Sequence, residues 1–215
     1  MTSRNNPAAP ELLLSDEGVP EIFDAPLTAD ILEENEELVI TNTMNPVAVF
    51  TTNKGVIEME LFTDQMPITT GNFIKLAEEG YYDSTKFHRV IKGFMIQGGD
   101  SNSKGDDVRI YGQGGPGYTI QDEFVEGELL TNTRGTISMA NTGQPNSGGS
   151  QFFINTVDNL ALDFDKQPLT SKHPVFGRVV VGMEVVDAIS AIEVGSGDLP
   201  TDPIIVESVV IRTEG

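Results

Sequence analysis

A succession of short hydrophobic runs that resemble β-strands constrains this chain more than any other feature. Eight such runs follow residue 46, bounded by Gly, Asn and Asp, whereas only two stretches have a helical hydrophobic period. Many short strands with glycine-rich turns favour a closed β architecture over strands that alternate with helices. We therefore expect a mostly β domain with a closed sheet and two α-helices.

The local patterns place these elements along the chain. In the second run, Ile57, Met59 and Leu61 alternate with glutamates, which is typical of a half-buried strand. Pro67 suits the first turn of a helix and Gly80 suits its end. The predicted second helix is Met183–Ala191, and the predicted strands are Val47–Thr51, Val56–Leu61, Lys86–Ile91, Phe94–Gln97, Thr136–Ala140, Phe152–Asn155, Val175–Val181 and Ile204–Ile211.

Charge and proline divide the chain into two parts. The first 46 residues carry ten acidic side chains against one arginine, and five prolines interrupt them. We predict that residues 1–45 form an acidic N-terminal extension and that residues 46–215 form one domain, a size that can bury a single core. Three roles stay open for the extension: it improves solubility, it recruits a partner, or it folds back over the domain.

The overall composition excludes several classes of protein. A net charge of -20 would repel nucleic acids and anionic membranes, so neither is expected as a main partner. The chain has no cysteine, which excludes disulfides and a thiol nucleophile. Neither a membrane span nor the apolar core of a signal peptide is visible. We expect an acidic monomer, and the cytoplasm is the default location.

Motif searches return neither a cofactor site nor a nucleophile. Residues Gly112–Gly117 satisfy the G-x-G-x-x-G pattern, but no helix start follows them, so a nucleotide site is not expected. The two histidines, His88 and His173, lack carboxylates at a metal-binding spacing, so no metal is expected. The G-x-S-x-G pattern of serine hydrolases is absent.

One charged residue resists a purely structural explanation. Arg89 stands in a hydrophobic stretch, and strand alternation counted from Phe87 places it on the same face as Phe87 and Ile91. A guanidinium stays charged inside a protein, so Arg89 must reach solvent or be neutralised by neighbours. Polar and apolar side chains from distant strands would form a binding surface around it only if the fold brings them together.

Three long motifs show a resemblance to a known family. The segments FHRVIKGFMIQGGD, GTISMANTGQPNSGGSQFFIN and HPVFGRVVVGMEVVDAI resemble the cyclophilin-type peptidyl-prolyl cis-trans isomerases, in the same order and at compatible spacing. The resemblance covers about residues 47–212. It implies an eight-stranded antiparallel barrel closed by two helices, with a groove on its outside that binds extended proline-containing peptides and unfolded proteins.

The resemblance also implies roles for individual residues. The catalytic arginine of the family falls on Arg89, which would act without a cofactor, metal or covalent intermediate. Gly112 falls on the glycine that lines the neighbouring pocket. The proline pocket falls on Phe94, Met95, Phe153, Leu162 and His173, and the positions that bind the substrate backbone fall on Gln97, Ala140, Asn141 and Gln151.

The chain departs from the family pattern at two places in the domain. Ala161 stands where the family usually has Trp or Phe, so ligands similar to cyclosporin are expected to bind weakly. The loop at residues 101–111 is longer than the compact bacterial pattern and carries charges, which suits a role in substrate choice. A module that binds peptides without catalysis is the alternative. The intact set around Arg89 argues against that module, and Ala161 argues mildly for it.

Overall fold

The computed structural model describes residues 45–167 and 171–213. Apart from Asn45, the predicted N-terminal extension lies outside these residues. Both predicted helices are present, as α1 (Pro67–Glu78) and α2 (Met183–Ser190). The described ranges also contain eight strands: β1 (Val47–Thr52), β2 (Gly55–Leu61), β3 (Arg89–Ile91), β4 (Met95–Gly98), β5 (Thr136–Met139), β6 (Phe152–Asn155), β7 (Val175–Val181) and β8 (Val206–Arg212).

The eight strands form one antiparallel sheet in the order β3-β4-β6-β5-β7-β2-β1-β8. The tight turn at Asn53 and Lys54 joins β1 to β2, as the alternating pattern predicts. One face of the sheet is covered by hydrophobic side chains from every strand. In four adjacent strands the register aligns Val90, Ile96, Ile154 and Ile137 as one fully buried row.

Aromatic side chains fill the interior between the sheet and α1. The ring of Phe73, on α1, stacks on that of Tyr82 with centroids 4.9 Å apart. Phe152 meets Phe50 edge to face at 5.6 Å, and Phe176 completes the cluster. Full burial of each of these five side chains stabilises the fold by about 2 kcal/mol or more.

The prediction of a closed barrel is not supported, because the sheet curls into a half-barrel with β3 and β8 at its ends. Strand β3 pairs with β4 and β8 pairs with β1, but β3 and β8 do not pair with each other. The two ends approach each other just before these strands. There, Lys86 and Ile205 form an isolated bridge, and the amide of Phe87 donates to the carbonyl of Ile204.

The segment at residues 101–124 contains two short 3-10 turns, Ser101–Lys104 and Val108–Ile110. Lys86 fastens this segment to the sheet. Its ammonium donates to the carbonyls of Ser103 and Gly105 at 2.6 and 2.8 Å.

None of the helices in the described part of the chain has the length and apolar composition of a membrane span.

Candidate active site

Strand register places the central site residues in one row. Arg89 on β3 lies opposite Gln97 on β4, which in turn lies opposite Phe153 on β6. Directly opposed residues of an antiparallel pair point to the same face of a sheet, and their neighbours along each strand point to the other face. Because Ile96 and Ile154 face the core, this row faces outward.

The outward row lines a cavity of about 230 Å³. It contains the predicted catalytic arginine, all five residues predicted for the proline pocket, and three of those predicted to bind backbone. Strands β3, β4 and β6 supply four of the nine lining residues, and the segments before β4, after β5 and between β6 and β7 supply the other five. The lining residues are Arg89, Phe94, Met95, Gln97, Ala140, Asn141, Phe153, Leu162 and His173.

The other two predicted residues, Gly112 and Gln151, line a neighbouring cavity of about 460 Å³ that shares Gln97, Ala140 and Asn141 with the first. The amide of Gln151 connects the two cavities. It accepts a hydrogen bond from Gln97 Nε2 at 3.0 Å and donates to the carbonyl of Gly112 at 3.0 Å. All eleven predicted residues therefore lie along one continuous surface.

Arg89 reaches solvent at this surface, where 45% of its side chain is exposed. Its Nε donates to Asp198 Oδ2 at 3.3 Å, and within the described residues neither Nη atom makes a hydrogen bond. The expectation that Arg89 shares a face with Phe87 is wrong, since Phe87 is buried in the core. Strand β3 begins only at Arg89, so the alternation does not extend back to Phe87.

His173 forms one wall of the cavity as a neutral ring. Burial lowers the pKa of its imidazole, and the hydrogen bond to Met139 opposes this effect only in part. Nδ1 lies 3.1 Å from the carbonyl oxygen of Met139, which can accept a hydrogen bond from the ring only when Nδ1 carries a hydrogen. The ring packs edge to face against Phe153, with the two centroids 5.2 Å apart.

A buried polar network supports the cavity from behind, and the sequence did not indicate it. Asn132 is fully buried, and its side-chain amide donates to Asp163 Oδ1 at 2.7 Å and to the carbonyl of His173 at 3.0 Å. Its side-chain oxygen accepts from Ser138 Oγ at 2.7 Å and from Asn155 Nδ2 at 3.1 Å. The network ties the segments that carry Leu162 and His173 to β5 and β6.

The sequence also did not indicate Asp198 as part of this region. Asp198 lies in a short 3-10 turn, Ser196–Asp198, at 109 residues from its partner Arg89. A glycine-rich turn before a proline looks like an ordinary connection, so local pattern could not reveal the ion pair. Ala161 is exposed in another such turn, Leu160–Leu162, where it adds no aromatic surface beside Leu162.

The cavity combines one exposed cation, a set of neutral amides and an apolar floor. Arg89 is its charged donor, while Gln97 and Asn141 offer neutral hydrogen-bonding groups. Within the described ranges, no group of three His, Asp or Glu side chains is placed to hold a metal ion. This chemistry suits a ligand with a compact apolar ring and a peptide backbone.

The sequence of this domain is similar to that of several known proteins. Residues 47–211 match the family model described as cyclophilin type peptidyl-prolyl cis-trans isomerase/CLD. Peptidyl-prolyl cis-trans isomerase B of Escherichia coli is 42% identical over 172 residues, which cover 77% of this chain and 99% of that protein. Peptidyl-prolyl cis-trans isomerase CYP18-1 of Arabidopsis thaliana is 43% identical, with coverage of 75% and 92%.

A longer relative and a solved structure extend the comparison. A putative bifunctional phosphatase/peptidyl-prolyl cis-trans isomerase of Streptococcus pyogenes is 37% identical, and the match spans 40% of its length. A cyclophilin-type isomerase of Cryptosporidium parvum, crystallised in the presence of the dipeptide Ala-Pro, superposes with a TM-score of 0.66 at 34% identity. That match covers 78% of this chain and 99% of the crystallised one. The chain belongs to the cyclophilin-type peptidyl-prolyl cis-trans isomerase family.

Proposed function

We propose that this chain accelerates rotation about X-Pro bonds in extended or unfolded protein segments and so assists their folding, with Arg89 as the catalytic donor. Membership of the isomerase family supports the reaction. The observation that carries the role of Arg89 is its exposed guanidinium at the rim of a cavity lined by Phe94, Met95 and Phe153.

The reaction is slow in water because amide resonance opposes rotation, with a barrier of about 18 to 20 kcal/mol. In the twisted transition state the prolyl nitrogen becomes pyramidal and regains a lone pair. A donor aimed at this nitrogen stabilises the transition state more than either planar ground state, which is the condition for catalysis. Arg89 can serve as this donor without transferring a proton, because its guanidinium remains charged.

The remaining residues would hold the two sides of the bond differently. Phe94, Met95, Phe153 and Leu162 offer apolar contacts to the proline ring, whereas Gln97 and Asn141 offer hydrogen bonds to the peptide backbone. The chain before the proline would then turn while the proline stays clamped. A fixed site of this kind needs no cofactor, metal or covalent intermediate.

The substrates we propose are proline-containing peptides and unfolded proteins. The related Cryptosporidium parvum isomerase was crystallised in the presence of Ala-Pro, which supports a proline ligand for the same cavity here. The residue before the proline would project toward Gly112 in the neighbouring cavity. We also propose that cyclosporin-like ligands bind weakly, since Ala161 offers a methyl group where an aromatic ring would add contact area.

We further propose that residues 1–45 are an extension that the isomerase domain does not need, and that the protein acts as a monomer. The family match begins at residue 47, which supports a boundary between the extension and the domain near residue 46. The strongly acidic composition of the chain supports the second point, because like charge disfavours self-association.

Measuring the isomerisation of an Ala-Pro peptide, by protease-coupled assay or NMR exchange, tests the role of Arg89. We expect Arg89→Ala to lower kcat/KM at least tenfold, because losing a preorganised donor can cost about 3 to 4 kcal/mol, or two to three powers of ten in rate. Arg178→Ala is the control, since this arginine is 48% exposed and pairs with Glu60 on β2. Activity of the Arg89 variant within twofold of wild type would contradict the assignment.

The same assay separates catalysis from simple peptide binding. A wild-type protein that binds the peptide without accelerating its isomerisation would be a non-catalytic module, the function that the missing aromatic side chain at Ala161 would favour. Acceleration that depends on Arg89 excludes that alternative.

A further inference from the structure

Asp198 makes a contact that the proposed mechanism does not use. Its carboxylate Oδ2 accepts a hydrogen bond from Arg89 Nε at 3.3 Å, and the two side chains are 43% and 45% exposed. Nε is the guanidinium nitrogen nearest the backbone. A partner on this atom fixes the plane of the group while leaving both Nη atoms available to a ligand.

The turn that carries Asp198 is itself held in place. Val194 and Pro200 form a β-bridge across it, and the amide of Gly195 donates to the carbonyl of Leu199 at 2.8 Å. Asp198 has a φ of 60°, in the left-handed region that Asp and Asn adopt more readily than most other residues. The carboxylate is therefore presented from a defined backbone and not from a freely moving loop.

We propose that Asp198 is a positioning residue for Arg89, which it holds in the one orientation that keeps the donor over the cavity. This inference rests on the proposed function of Arg89. An arginine side chain without an anchor distributes itself over several staggered rotamers, and only the competent fraction contributes to turnover. If about one rotamer in three or fewer is competent, losing the anchor lowers kcat about three- to tenfold.

The charge of Asp198 acts in the opposite direction. A carboxylate beside Arg89 weakens the positive potential that the donor offers to the prolyl nitrogen. Both side chains are nearly half exposed, so water and salt screen this effect strongly. We therefore expect orientation to outweigh charge, and two substitutions of Asp198 can separate them.

Asp198→Asn keeps a side-chain oxygen that can accept from Nε and removes only the charge. Asp198→Gly removes the acceptor and tolerates the left-handed φ without strain. We expect the Asn variant to stay within twofold of wild type on an Ala-Pro peptide. The Gly variant should lose about three- to tenfold in kcat with KM unchanged, because the groups that bind the peptide are intact.

Two further measurements exclude a general structural effect. In the Arg89→Ala background, Asp198→Gly should change nothing more, because its effect passes through the missing guanidinium. The ion pair of Arg134 and Asp187 provides a matched control: its side chains are 44% and 49% exposed, and Arg134 does not line the cavity. Asp187 lies within α2, where glycine would destabilise the helix, so Asp187→Asn and Asp187→Ala serve as the control variants. Both should retain the wild-type kcat.

The outcomes are distinguishable. Higher activity in both Asp198 variants would overturn the proposal by showing that the charge restrains Arg89. Unchanged activity in the Gly variant, or an equal loss in the Arg89→Ala background, would also overturn it. If Arg89→Ala itself retains full activity, the proposed function of Arg89 fails first, whereas a large loss there with no effect of Asp198→Gly refutes only the positioning role.

Discussion

Substitution of Asn132 by alanine tests how far the cavity depends on the polar network behind it. The side chain makes four hydrogen bonds to buried or partly buried partners, and it lies outside the cavity. Alanine removes all four while leaving the backbone amide of residue 132 bonded to Asp163 Oδ1. The change therefore affects the support of the site without touching a substrate-facing group.

The expected loss of stability follows from the partners that are left. The hydroxyl of Ser138 loses its acceptor, and one N–H of Asn155 is left unpaired, since the other still donates to Thr136 Oγ1 at 2.9 Å. Each buried donor without a partner costs about 1 to 3 kcal/mol. Together with the lost contacts of the side chain, the free energy of unfolding should fall by about 3 to 4 kcal/mol.

Urea unfolding followed by circular dichroism measures this free energy, and peptide kinetics measure the site. Asn53→Ala is the control, because its two hydrogen bonds, to Pro203 and Ile205, are exposed and water can replace them, so less than about 1 kcal/mol should be lost. We also expect a higher KM for Asn132→Ala, since Asn132 bonds to the carbonyl of His173. A stability loss no larger than that of the control would refute the reasoning.

Two other predictions concern the histidines and Ala161. Burial lowers the pKa of both His88 and His173, so the unfolded chain takes up protons before the folded protein does. Stability should be constant above about pH 7.5 and fall as the pH drops through 6.5 toward the folded pKa, by at most about 1.4 kcal/mol per pH unit for each histidine. Urea unfolding between pH 8 and 5.5 measures this, and a flat profile would contradict it. Ala161→Trp should tighten cyclosporin binding about tenfold by adding apolar contact area. It should have little effect on folding because position 161 is exposed. Calorimetric titration measures the affinity, and equal values for the variant and the wild type would contradict this prediction.

The strands were largely predictable because their hydrophobic alternation is local. Glycine, proline and the period of the pattern placed Pro67 at the start of α1 and residues 152–155 in β6. The length of β3 was not predictable in this way. The predicted strand began at Lys86, but β3 begins at Arg89, because the backbone before Arg89 bonds to the segment that precedes β8. The curl of the sheet depends on such long-range pairing and has no signature in a single strand.

The site was predictable only as far as the family motifs extend. Arg89 was recognisable as a candidate because a permanent charge in a hydrophobic run is unusual. The family resemblance indicated which residues should surround it. Asn132 and Asp198 gave no comparable signal. A buried asparagine and a turn aspartate have the same sequence context as their exposed counterparts, and only the tertiary contacts distinguish them.

The loop at residues 101–111 is anchored at both ends by one buried side chain. Asp100 is fully buried, and its carboxylate accepts hydrogen bonds from the amides of Asn102 and Gly112, so one side chain holds both ends of the loop. The segment between these ends can therefore vary in length or charge without displacing Gly112, which lines the neighbouring cavity. Asp100 thus uncouples the sequence of this loop from the position of Gly112 and of the cavity that Gly112 lines.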